Sequence, residues 1–297
     1  MSEDKSTSLV NLGNLSKPAD TLIKKVSDAV GGIFEPYQVT RVAKAEAKAD
    51  LIQAESKIQI TELHRRAMYR FVEEEAKRQS NIENIISKAL PQLDDKGDPS
   101  QIEDDWITNF FDKCRIVSDD EMQNLWSRVL SGEANVPGTY SRRTVNFLSD
   151  LDKAEAKHFS DLCGFGWMML GAFVPLVFDE QADICNNKEI TFNSLSHLES
   201  IGLIQFTSLS GFVAQSLPQK ISVSYYGQVL ELSFAKETDN ELNIGEVMLT
   251  KIGQELAPIC ESKPVDGFID YVKDKWKNHL PEDNTEQASW TRGQGAS

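Results

Sequence analysis

The sequence predicts a mainly α fold, with a long N-terminal helix and a helical bundle followed by a small winged-helix-like α+β module. Three observations carry this. Residues 37–79 hold neither Gly nor Pro and are rich in Ala, Glu, Lys, Gln, Leu and Arg, all good helix formers. Residues 101–178 are mostly short apolar-periodic stretches separated by capping residues and a Pro-Gly turn. After residue 178 the pattern changes to alternating, β-branched segments such as ISVSYYGQVLELSF.

In order along the chain, residues 1–17 are small and polar and are expected to be a disordered arm. Residues 18–93 are expected to hold an amphipathic helix and a long assembly helix. Pro18 sits at a helix start, and Leu22, Val26, Ala29, Val30 and Ile33 recur at helical spacing until Gly31-Gly32 loosens the pattern. Such a helix docks on its own protein or on a second subunit, and residues 19–34 are also a candidate for peripheral membrane contact. The Gly- and Pro-free run that follows would form a rod roughly 60 Å long. A rod of that length outruns a small domain, so it is expected to associate with another chain. Its spacing keeps no strict heptad, which weakens a coiled-coil assignment. A break is expected near Ser80, with a shorter helix ending at Pro91, and DDKGDPS reads as a loop.

Residues 101–178 are expected to be the helical bundle. IEDDWITNFFDKCRIV offers Trp106, Phe110 and Phe111 to a core. Ser118 and Glu121 have capping-box spacing. Met122, Leu125, Trp126, Val129 and Leu130 then share a face, Pro137-Gly138 turns the chain, Ser141 caps the next helix, and Asp152 caps another. Arg142 and Arg143 fall in a first helical turn, where the dipole disfavours cations. This predicts a carboxylate partner, with Glu133 the candidate, or else a phosphate. FGWMMLGAFVPLVF (165–178) is too short to span a bilayer and reads as buried core. In residues 179–280, a helix closed by Gly202 leads to a strand, a hairpin follows at Gly227, and a strand gives way to a helix at Thr250. PVDGFIDYVKDKWKNHL closes the module, and residues 281–297 are expected to be disordered.

The chemistry that would make an enzyme is sparse. There is no HExxH, no P-loop, no dinucleotide-binding glycine fingerprint and no GxSxG elbow. The four histidines and four cysteines show no metal-ligand spacing, so no cofactor, metal site or catalytic residue is expected. With no secretory pattern, the cysteines are expected to be reduced thiols of a cytoplasmic protein. Net charge is −15, a poor match for phosphate-driven nucleic-acid binding. The candidate recognition helix, TFNSLSHLESIG, carries no Lys or Arg. Nucleic acid is therefore disfavoured as a partner.

The segment LWSRVLSGEANVPGTYSRRTVNFLSDLDKAEAKHF resembles the bacterial domain-of-unknown-function family 2806. The match falls on Leu125, Trp126, Arg128, Leu130, Gly132, Glu133, Pro137, Gly138, Ser141, Arg143 and Thr144. KPADTLIKKVSDAVGGIFEP, AKAEAKAD, HLESIGLI and LTKIGQEL are similar as well, so the resemblance spans most of residues 17–260. The layout is more loosely similar to Abi-alpha-type abortive-infection proteins, which implies by analogy a role in phage defence. The resemblance supplies no activity. Trp126, Arg128, Glu133, Pro137, Gly138, Ser141, Arg143 and Thr144 are thus candidates for a structural or partner motif. The expected function is that of a non-enzymatic homo-oligomer that meets a phage or host protein or disturbs the inner membrane. The alternatives are a winged-helix DNA-binding regulator and an unrecognised nuclease or hydrolase.

Overall fold

The structure is a computed structural model and describes residues 16–30 and 61–281. Residues 1–15 of the expected arm, nearly all of the expected tail and residues 31–60, which hold the first part of the expected rod, lie outside the described residues. Helices dominate, accompanied by small antiparallel sheets. The chain divides into two compact units, one ending at Lys153 and one starting at Ala154.

In the first unit, helix α1 (Lys17–Val30) buries Ala19, Leu22 and Val26. It packs on α3 (Asp104–Cys114) and on the 3-10 turn Pro99–Gln101, and Lys25 reaches Asp104 at 2.7 Å. Of the apolar stripe considered for a membrane, Leu22 and Val26 are thus spent on the protein's own core. Helix α2 (Glu62–Ala89) runs through Ser80 without the expected break. The polar QSN stretch is tolerated because Asn81 is drawn inside, donating to Arg115 O at 2.9 Å and accepting from Gln123 Nε2 at 3.4 Å. Pro91, which has no N–H to continue the ladder, ends the helix in a 3-10 turn, Leu90–Gln92.

Helix α3 buries Trp106, Ile107, Phe110, Phe111 and Cys114. Phe110 stacks on Trp106 and meets Trp126 edge-on, both at 5.1 Å between centroids. Helix α4 (Asp120–Asn135) starts one residue later than the predicted capping box. Its cap is Asp119, whose Oδ1 accepts from Glu121 N at 3.0 Å and Met122 N at 3.1 Å. A carboxylate at the positive end of a helix is a stronger acceptor than a hydroxyl. Those amide bonds, with Lys153 nearby, hold the Asp119 carboxyl below its usual range. Helix α5 (Arg142–Asp150) follows the Pro-Gly turn, and α6 (Lys153–Cys163) begins after Asp152.

In the second unit the expected bundle does not extend to residue 178. Residues 165–178 instead contain a hairpin of β1 (Gly166–Met169) and β2 (Ala172–Pro175). Leu170 and Gly171 turn it with φ of 50° and 81°, the left-handed pair that matches strand twist. Trp167 and Met169 point inward and Met168 outward, an alternation hidden in the sequence by apolar residues on both faces. The sheet continues as β2-β1-β5-β6, where β5 (Lys220–Tyr225) and β6 (Gln228–Ser233) meet at Tyr226-Gly227.

A short helix α7 (Asp183–Asn186) precedes α8 (Phe192–Ser200), which is capped by Thr191 and Ser194 in a reciprocal box. Gly202, at φ 90°, leads from it into β3 (Ile204–Phe206), which pairs with β8 (Val247–Leu249). Between them β4 (Phe212–Leu217) pairs with β7 (Asn240–Gly245). Thr250 caps α9 (Lys251–Leu256), and α10 (Phe268–Lys275) closes the unit. Its core is aromatic: Trp167 stacks on Tyr225 at 5.1 Å and meets Trp276 at 5.8 Å, while Phe165 meets Phe268 at 4.9 Å.

Candidate functional site

The candidate motif residues form a corner between α4 and α5. Glu133 is buried, and its two oxygens accept from Gly138 N at 2.7 Å and from Tyr140 N at 2.9 Å. The Tyr140 carbonyl accepts the Trp106 indole N–H at 2.7 Å. The Tyr140 ring lies against Gly132, where an added Cβ would come within 2.6 Å of Cε2. Gly138 turns the chain at φ 89° after Pro137. Ser141 Oγ then caps α5 by accepting from Thr144 N at 3.2 Å, and Thr144 is buried. Trp126 and Leu130 fill the core as expected.

The expected tie between Arg143 and Glu133 is replaced by these backbone contacts. Arg143 is exposed and joins no ion pair among the described residues, while Arg142 lies 3.9 Å from Asp105 at the surface. Arg128 is half-buried on α4. The corner is therefore built on satisfied backbone groups. Trp106, outside the predicted motif, completes it. Sequence marked Trp106 as core, but its hydrogen bond joins residues 34 apart and has no local signature.

A second feature is the free half of α2. Residues 61–74 are all exposed, and among them are Leu63, Met68, Tyr69, Phe71 and Val72. His64, Met68 and Phe71 fall on the face that later buries Ile82, Ile85, Ile86 and Ala89 against the bundle. The apolar stripe thus runs past the edge of its own unit. Its charges are in blocks, with Arg65, Arg66 and Arg70 ahead of Glu73, Glu74 and Glu75. Some are paired within the helix, Arg65 with Glu62 and Arg70 with Glu74 at 3.2 Å.

A third feature is acidic. Burial, then the hydrogen bond and charge of Glu180, then Asp179, push the Glu246 carboxyl up to about 7. Its Oε2 is shielded and finds no donor among the described residues. Among the described residues no group of His, Cys, Asp and Glu is arranged to hold a metal ion. The folded state holds this proton more tightly than the unfolded chain, so the group's contribution to stability is greatest below about pH 4.5. It falls as pH rises through about 7. Glu246→Gln should flatten that fall and raise stability at pH 8 by about 1 kcal/mol, after allowance for solvent screening. Melting curves from pH 5 to pH 8 check this, and an unchanged slope would refute it.

Among the described residues, no helix is long and apolar enough to cross a membrane. A family model described as "Protein of unknown function (DUF2806)" matches residues 65–273, which include the corner and residues 65–74 of the exposed half of α2. No curated protein and no solved structure matches the chain.

Proposed function

From a chain that belongs to the DUF2806 family, we propose a non-enzymatic interaction protein that self-assembles through α2. The observation that carries this is the exposed apolar run of Leu63, Met68, Tyr69, Phe71 and Val72 beyond the bundle edge. Clustered exposed apolar side chains mark contact surfaces, whereas scattered ones do not. The charge blocks favour an antiparallel pair of α2 helices. That arrangement lays Arg65, Arg66 and Arg70 along Glu73, Glu74 and Glu75 of a second copy, whereas a parallel in-register pair sets like charges together. Phage defence enters only through the looser Abi-alpha-type resemblance. In that role the assembly would present its second unit to a phage or host protein. Contact of residues 19–34 with the inner membrane is a weaker part of the proposal, because Leu22 and Val26 are already buried.

The second unit supports a winged-helix-like reading through its order: α7, α8, then β3 and β8 as an antiparallel ribbon with an elaborated wing between them. We read it as a protein-contact module. Helix α8 has no Lys or Arg, and its His197 is engaged by Glu155 at 2.8 Å. That is poor equipment for gripping phosphate.

Light scattering tests the assembly. The full chain should have a mass that is a multiple of 33.3 kDa, and Met68→Glu/Phe71→Glu should return it to a single chain with its melting temperature unchanged. Deleting the N-terminal segment would be a poorer test, because it removes buried Leu22 and Val26. A wild-type monomer at micromolar concentration would overturn the proposal. Retarded duplex DNA at low salt would instead favour the regulator reading.

A further inference from the structure

In the second unit, the end of α6 and the segment after α9 are pressed together. Ser160 Oγ donates to Cys260 O at 2.7 Å. The Tyr225 hydroxyl donates to Gly164 O at 2.7 Å and accepts from Val265 N at 2.6 Å, bridging the two segments. They are so close that a Cβ on Gly164 would lie 2.7 Å from Lys263 O. Cys163, between Ser160 and Gly164, and Cys260 both border this seam, and the Cys260 S–H donates to Ala257 O at 3.2 Å. Cys163 is fully buried and Cys260 only partly, so an oxidant from solvent meets Cys260 first.

We propose that Cys163 and Cys260 form an oxidisable dithiol, a modification site for hydrogen peroxide or a related hydroperoxide. The two thiols have different roles. The Cys163 thiol beside it, with the Ser262 and Ser160 contacts, holds the Cys260 thiol below its ordinary value. Burial pushes the Cys163 thiol well up, so it keeps its proton. The Cys260 thiolate attacks one peroxide oxygen. The O–O bond breaks, hydroxide leaves and takes up a proton, and Cys260 becomes a sulfenic acid. Cys163 sulfur then attacks Cys260 sulfur, the S–O bond breaks, and the departing hydroxide takes the Cys163 proton as water. Two thiols and one peroxide give one disulfide and two waters. Cys114 and Cys185 take no part. Both are buried with raised thiol values, Cys185 at about 12.

The test uses the reduced full-length chain exposed to a small excess of hydrogen peroxide, digested under non-reducing conditions and mapped by mass spectrometry. The expected result is one cross-linked peptide pair joining Cys163 to Cys260, with two hydrogens lost per chain and the pair released by dithiothreitol. Thiol titration in denaturant should fall by half, and the oxidised chain should melt roughly 5 °C higher because the bridge closes a long loop. Cys163→Ser should stop at a Cys260 sulfenic acid that dimedone traps. Four titratable thiols after exposure, or Cys260 over-oxidised without a bridge in the wild-type chain, would overturn the proposal. The wild-type peptide map decides even if a variant fails to fold.

Discussion

Glu133→Ala should lower the stability of the first unit by about 3 to 4 kcal/mol, a large fraction of the roughly 5 to 15 kcal/mol typical of a domain. Both carboxylate oxygens accept backbone N–H groups of the turn. Gly138 is exposed, so its freed N–H finds water. Tyr140 is buried, and its N–H finds none. Hydrogen bonds to a charged acceptor are the stronger kind, and an orphaned buried donor carries its full desolvation cost. Glu133→Gln should fall between, because its amide offers one acceptor and turns a donor toward the other N–H. Arg143→Ala should stay within about 0.5 kcal/mol, as expected for an exposed side chain outside any ion pair among the described residues. Urea unfolding of the three variants checks the order. A destabilised Arg143→Ala beside a stable Glu133→Ala would restore the ion-pair account of the corner.

That order also shows where sequence was informative. Local chemistry was legible: Ser141 and Thr250 cap helices, Gly202 follows one, and Tyr226-Gly227 turns a hairpin, all set by residues within a few positions. Helical faces were legible too, since Trp106, Phe110 and Phe111 share one by spacing alone. What failed depended on distant partners. Asn81 sits inside a helix because Arg115 and Gln123 satisfy it, so the expected break near Ser80 does not occur. Residues 165–178 are apolar on both faces and concealed the period-two alternation of a hairpin. Arg143 was assigned to Glu133 on charge, whereas backbone amides already occupied that carboxylate. Cys163 and Cys260 lie 97 positions apart, so no spacing rule could pair them.

Tyr225→Phe should cost the second unit about 2 to 4 kcal/mol, through the hydroxyl alone. The ring stays, and with it the stacking on Trp167. Two backbone groups lose their partner: the carbonyl of Gly164, directly after α6, and the N–H of Val265, on the segment before α10. Both residues are buried, so water replaces neither bond cheaply. Burial also pushes the Tyr225 hydroxyl up to about 12, so it remains able both to donate and to accept throughout the neutral range. A drop of roughly 10 °C in melting temperature follows from that cost for a unit of this size. Tyr226→Phe is the matched control. Its hydroxyl contacts Ser262 Oγ at 2.6 Å, but the side chain is exposed, and the change should stay within about 0.5 kcal/mol. Hydrogen exchange adds a local readout, because the Val265 amide should lose protection in Tyr225→Phe and keep it in Tyr226→Phe. The same loosening reaches the dithiol, since Gly164 directly follows Cys163 and Val265 follows Cys260 closely. Bridge formation per peroxide consumed should therefore fall in Tyr225→Phe, with more Cys260 trapped as sulfenic acid. Equal melting and equal bridge yield in the two variants would show that the Tyr225 hydroxyl does not hold the seam closed.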